Sequence, residues 1–216
     1  MRRTIAAVVA IAILGGCAPG RGVNAPNAAP KPLPAALPKP SDRANVTETA
    51  TTCVHPTVDP ESSMPTVGGW VRVHASLSEA YAIAIRFGEI KELNPYIEQS
   101  TVVDKHPEIE ATDVYLRIPT FLHEYVWALI RFRPVSTGPD PSVTGYAYRG
   151  DEIDGNLDDL RIDWRLVPDG SGDTLAQIEL LADPRLPLPR GWLIPELREG
   201  VGIMLDRFRT KAEAGR

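Results

Sequence analysis

The chain has 216 residues, 43% of them apolar and 24% charged, with a formal charge of −5 at neutral pH. That length holds one ordinary domain plus additional segments, and the composition is that of a globular protein. No basic run or stripe is present, so nucleic acid is excluded as a partner. The 21 prolines are unevenly spread, and they mark the organisation of the chain better than any other count.

Residues 1–16 read as a signal peptide. Arg2 and Arg3 form a positive start, and Thr4 to Leu14 is almost wholly apolar, too short to span a membrane as a helix. Leu14-Gly15-Gly16-Cys17 then resembles the lipobox of bacterial lipoproteins. The resemblance implies thioether lipidation of Cys17, cleavage before it and acylation of the new amino group. Several acyl chains together give stable membrane attachment where one would not. Removal of Arg2 and Arg3 takes the net charge from −5 to −7. The expected localisation is the cell envelope, lipid-anchored. Ala18, where relatives retained at the inner membrane carry Asp, points to the periplasmic face of an outer membrane if the cell has one. Of the two cysteines only Cys53 stays unmodified, so no internal disulfide is available.

Residues 17–45 comprise Cys17 and a tether rich in Pro and Ala, with Pro19, Pro26, Pro30, Pro32, Pro34, Pro38 and Pro40. Such a stretch buries too little apolar surface to offset its ordering entropy, and it reads as a semi-stiff spacer with polyproline II bias. Residues 46–68 form a loose lead-in, with one short strand around Thr51 to His55 and Pro56, Pro60 and Pro65 against anything longer.

The domain proper is placed at 69–214. Trp70 to His74 alternates as a strand. Ser76 with Glu79 forms a capping box for a helix through Tyr81, Ile83, Ile85 and Phe87 that ends at Gly88, and a short helical turn follows before Asn94-Pro95. Strand patterns then recur at Ile97–Val103, Asp113–Ile118, Glu124–Phe132, Ser142–Arg149, Leu160–Leu166 and Thr174–Leu181. Leu160 to Leu166 alternates apolar and charged residues strictly, which predicts one buried and one wet face. The acidic run Asp151–Asp159 lacks the spacing of a calcium loop and reads as a solvated hairpin around Gly155-Asn156. A long terminal helix carries Leu197, Val201, Met204, Leu205, Phe208 and Ala212 at helical spacing, with Pro195 in its first turn and two unusual glycines, Gly200 and Gly202.

Three stretches in this order carry a resemblance: Phe87-Gly88-Glu89-Ile90 followed by Asn94-Pro95; Asp163-Trp164-Arg165-Leu166-Val167-Pro168 followed by Gly172-Asp173-Thr174; and Leu188-Pro189 through Arg209. Together they resemble the START-like helix-grip superfamily (SRPBCC), with its polyketide cyclase, lipid-transfer and coenzyme Q-binding relatives, over about Gly69 to Ala214. The resemblance implies an α+β helix-grip fold: a curved antiparallel sheet of about seven strands wrapped around the long C-terminal helix, with two short helices after the first strand. It also implies a cavity between sheet and helix for an apolar molecule, such as a lipid or quinone. The cavity candidates by residue type are Tyr115, Tyr125, Trp127 and Trp164 as amphipathic lining, Arg117 and Arg131 for an acidic head group, and Met204 and Phe208 from the helix.

No metal motif occurs, since His55, His74, His106 and His123 stand apart without paired spacing. No phosphate loop and no GxSxG elbow occurs, and no cofactor is expected. Three readings stay open: a tethered module that binds or carries an apolar ligand, an interaction lipoprotein with a filled cavity, and a cyclase-like enzyme. For the last, His123, Glu124 and Asp163 are acid–base candidates by type alone, with no motif to fix them.

Overall fold

A computed structural model describes residues 47–55, 64–119, 125–135, 145–184 and 190–215. Eight strands form one antiparallel sheet: β1 Thr51–His55, β2 Thr66–Val73, β3 Gln99–His106, β4 Ala111–Pro119, β5 Tyr125–Pro134, β6 Tyr146–Gly155, β7 Leu157–Pro168 and β8 Thr174–Pro184. Their order is β1-β2-β8-β7-β6-β5-β4-β3, so β3 to β8 run as a meander and β2 closes onto its last strand. Among the described residues three α-helices accompany the sheet: α1 Leu77–Ala84, α2 Ile90–Leu93 and α3 Arg190–Glu213. This is the helix-grip α+β fold, its sheet holding one strand more than the seven expected of the domain proper. The eighth is the short lead-in strand Thr51–His55 that the sequence suggests, joined to the sheet by pairing with β2, which begins at Thr66, ahead of Trp70.

Local chemistry accounts for the starts and turns. Ser76 Oγ accepts from the Glu79 amide and Glu79 Oε2 accepts from the Ser76 amide at 2.8 Å, closing the capping box on α1. Gly155-Asn156 turns β6 into β7. There the Asn156 side chain accepts from the Trp127 amide at 2.8 Å and donates to the Tyr125 carbonyl at 2.7 Å, stitching the turn to β5. The acidic run is therefore largely strand, with Asp151 and Asp154 in β6 and Asp158 and Asp159 in β7. α3 begins at Arg190, one turn before its expected start, so Pro195 lies inside it and leaves the Gly191 carbonyl without a helical donor.

The sheet has two faces, and strand parity assigns every side chain to one of them. Val67, Val71 and Val73 of β2, Ala176 and Ile178 of β8, Ile162, Trp164 and Leu166 of β7, and Ile130 and Phe132 of β5 share the inner face and form the core. α3 lies on this face and buries Val201, Leu205 and Phe208 almost completely, each contributing about 1.5–3 kcal/mol by burial. It packs tightly on the sheet at Gly69, where an added Cβ would stand 2.9 Å from both Val201 and Leu205. Glycine here lets the helix settle onto β2.

The outer face of β7 departs from the expected wet one. Asp163 and Arg165 are only 3% and 6% exposed. At Asp163 charge does not prevent burial because it is paired across strands: Arg149 of β6 donates from Nε and Nη2 to the two Asp163 oxygens at 2.8 and 3.1 Å. Alternation of apolar and charged residues signals the strand correctly, but not which of its faces meets water.

Candidate functional site

The space between the inner face and the helices differs from end to end. At the end where α3 finishes, aromatic rings fill it. Phe87 stacks on Phe132 with centroids 4.4 Å apart, and Trp164 leans on Phe208 at 5.2 Å. Tyr81 stacks on Tyr146 at 3.9 Å and shares a 2.8 Å hydrogen bond with the Tyr148 hydroxyl. Burial, and then the Tyr81 hydroxyl, push the Tyr148 phenol well above its ordinary range.

At the end where α3 starts, packing is looser. Ile118 of β4, Val126 of β5, Leu180 of β8 and Leu197 of α3 contact the core but are only partly buried. Leu180 is the most telling of these. It sits on the inner face between Val67 of β2 and Ile162 of β7, both nearly fully buried. Leu180 is therefore less tightly covered than the residues beside it. The neighbouring inner positions include the small side chains Ala128 and Ala182. One acid, Glu152, shares this face opposite Ile130, at the β5–β6 bulge. This arrangement suits an elongated apolar molecule with one polar group.

Three of the eight ligand candidates lie in the grip: Trp164, Met204 and Phe208 are all buried against the core. The other five stand together on the outer face of β4 and β5. Tyr115 stacks on Trp127 at 6.1 Å, and Arg117 lies 4.5 Å over the Tyr125 ring while pairing with Glu98. Arg131 grips Asp113 through two 2.7 Å bonds, with His106 alongside. Burial alone would raise the Asp113 carboxyl, but the bonds from Arg131 and His106 outweigh it and hold the group below its ordinary value. Arg131 is thus occupied on the outer surface, away from the core. The physical reason is register: Val114, Leu116 and Ile118 take the inner face, so Tyr115 and Arg117 cannot. Of the acid–base candidates, Asp163 is the outer-face partner of Arg149, while His123 and Glu124 lie outside the described residues, as does Cys17.

The sequence reading missed Leu180, Glu152 and the Tyr81–Tyr146–Tyr148 cluster. The signal for Leu180 was present, since β8 alternates Ile178, Leu180 and Ala182 on one face. Glu152 shifts face through the bulge between Leu129 and Ile130, which no pattern announces. A shallow surface cleft of about 330 Å³ also lies outside the grip, lined by Ala50, Thr52, Pro195, Arg198, Glu199 and Gly202 where β1 meets α3. Among the described residues no group of three or more His, Cys, Asp or Glu is placed to hold a metal ion. No described helix is long and apolar enough to cross a membrane.

No family model and no curated protein sequence matches the chain. Solved structures do match, at low identity. A START superfamily protein from Mycobacterium smegmatis is 16% identical with a TM-score of 0.56, over 70% of this chain and 99% of that one. A STAR-related lipid transfer protein from Xanthomonas axonopodis is 14% identical with a TM-score of 0.61, over 76% and 94%. The lipid transfer and protein localization domain of human StarD13 is 12% identical with a TM-score of 0.59, over 77% and 85%. At these identities the likeness shows the fold: START-type helix-grip.

Proposed function

We propose that this protein is an envelope-anchored lipoprotein whose START-like domain binds or carries an apolar ligand, such as a lipid or quinone, in the half-open end of the grip. The observation that carries the binding reading is Leu180: an inward side chain in the middle of the sheet, left accessible while its neighbours on both strands are buried. Lipid transfer in the names of two fold relatives supports the same ligand class. The aromatic end acts as the floor, the apolar residues around Leu180 take the chain or ring, and Glu152 receives a donor from the polar end.

The anchoring half rests on residues 1–17, by their likeness to a lipoprotein signal. The Pro/Ala-rich segment after Cys17 holds the domain off the membrane. Mass spectrometry of the N-terminal peptide from membranes tests this half: a diacylglyceryl-modified, acylated Cys17 is expected, and an unmodified Cys17 refutes it.

The binding half is tested by native mass spectrometry of gently purified protein, followed by extraction. One apolar molecule per chain is the expected result. A clean unliganded mass, with no uptake from a panel of phospholipids and quinones, overturns the reading in favour of an interaction protein with a filled grip.

A further inference from the structure

The outer face of β2, β8, β7 and β6 is built like an interface. The three described helices pack on the inner side of the sheet, yet Arg149, Asp163, Arg165, Gln177 and Glu179 on the outer side are each 6% exposed or less. Three buried acceptors there have no hydrogen-bond partner: Glu179 Oε2, Gln177 Oε1 and Thr66 Oγ1. A buried oxygen left without a donor is costly. The remaining Glu179 oxygen accepts from the Gln177 amide at 3.0 Å. Beside these acceptors, Gly68 stands opposite Glu179 and carries no side chain, and Trp70 packs with Val167 and Leu175 as a small apolar ledge. The face thus offers acceptors that need donors, next to an apolar shelf.

The chain itself supplies a matching occupant. Thr47 is tied to the edge of this sheet, its carbonyl accepting from the Arg72 amide at 3.3 Å, so the residues before it begin at β2. Residues 18–46 hold four basic side chains, Arg21, Lys31, Lys39 and Arg43, against the single acid Asp42; residues 47–216 hold 17 basic against 27 acidic. The segment's charge therefore complements that of the domain. Its last sixteen residues reach about 48 Å when extended at about 3 Å each, and four strands spaced at about 4.8 Å are crossed in less than half of that.

We propose that residues 31–46 dock on the outer face of β2, β8, β7 and β6, with Lys39 and Arg43 supplying donors to Glu179 and Gln177. The spacer between membrane and domain is then only residues 18–30. In this arrangement an electrostatic latch on the back of the sheet sets how far the domain stands from its anchor.

Cys53 provides the probe. It lies on the same face, paired in register with Gly68, and its thiol is half-buried. The full chain carrying Cys17→Ser has Cys53 as its only thiol and is alkylated with iodoacetamide, with hydrogen exchange followed in parallel. Docking predicts slow exchange over residues 31–46. It also predicts that adding Lys39→Glu and Arg43→Glu speeds Cys53 alkylation about tenfold, the effect of losing about 1.4 kcal/mol, and frees that segment's amides. These variants lie outside the domain and leave its core intact. Unchanged alkylation with coil-like exchange of residues 31–46 overturns the proposal. Protection of Cys53 that rises with protein concentration also overturns it, and assigns the face to a second copy.

Discussion

The two ends of the grip make opposite demands on a bulky substitution, and this can be measured. Leu180→Trp adds several heavy atoms at the looser end. If that space is open, the indole occupies it with no overpacking, and stability should change by less than about 1 kcal/mol. Gly150→Ala adds one methyl at the filled end, where its Cβ would stand 2.6 Å from a Phe132 ring carbon and 2.8 Å from Ile130. A buried ring and an isoleucine cannot both retreat, so a loss of about 2 kcal/mol is expected. For a domain of this size 1 kcal/mol shifts Tm by about 2–4 °C. Thermal unfolding followed by circular dichroism should therefore show Leu180→Trp within about 4 °C of the parent, and Gly150→Ala lower by about 4–8 °C. Uptake of a fluorescent fatty acid should reverse the order, abolished by the larger side chain and kept by the smaller. A Leu180→Trp protein that loses more than about 8 °C, or that still takes up ligand as the parent does, would refute the half-open grip.

Gly69→Ala drives a methyl toward Val201 and Leu205 at 2.9 Å each and toward the Thr51 carbonyl at 3.1 Å; a loss of about 1–3 kcal/mol in urea unfolding is expected, and an unchanged midpoint would sink the account of how α3 meets the sheet. Arg149→Ala strands the buried Asp163 carboxylate, and chemical denaturation should report about 3–5 kcal/mol lost, with partial recovery when Asp163→Asn is added. Glu179 gives the pH test. Burial pushes its carboxyl up to about 7 from 4.5. A raised carboxyl stabilises the fold fully below its unfolded value, and that contribution is lost as pH climbs from about 4.5 to about 7. Glu179→Gln should flatten the stability–pH profile over this window, and an identical slope in parent and variant would refute it. His74 bridges Glu48 and Asp173 at 3.0 and 2.8 Å and is raised above 6.5 by those bonds, so its NMR titration midpoint should lie above 6.5 and fall back in Glu48→Gln.

How far the sequence reading reached is clearest on β4 and β7. In β4 the alternation of Val114, Leu116 and Ile118 against Asp113, Tyr115 and Arg117 is legible, and it assigns the aliphatic set to the core by the ordinary preference for burial. Placing Tyr115 and Arg117 inward required reading them as ligand contacts, and the strand obeyed the packing instead. In β7 the same alternation put Leu160, Ile162, Trp164 and Leu166 correctly together. It could not disclose that Asp163 and Arg165 are buried too, because what stands beside them comes from neighbouring strands, Arg149 opposite Asp163 and Gln177 opposite Arg165. The helix stripe of Val201, Leu205 and Phe208 was fully legible, since one helix carries its own period. Features that depend on cross-strand register, such as Glu152 at its bulge, were not, because a shift of one residue reverses the face of everything after it.

The two faces of this sheet therefore bear different kinds of constraint. The inner face spends its aromatic residues on closing one end, which leaves the other end to aliphatic side chains and a single acid. A ligand held there would be selected by length and apolar shape first and by one polar contact second, since Glu152 is the one charged residue that strand register puts among the inner positions of β6 and β7. On the outer face the order is reversed. Paired charges and unpartnered acceptors dominate on β2, β8, β7 and β6, where Trp70 packs with Val167 and Leu175 as a small apolar ledge. A face of this composition discriminates by donor placement and responds to ionic strength, whereas the mainly aliphatic inner face should respond little to it. Salt titrations of ligand uptake and of Cys53 reactivity should consequently diverge: uptake nearly flat, thiol protection weakening with salt. Parallel changes in the two would mean that the faces are coupled through the sheet.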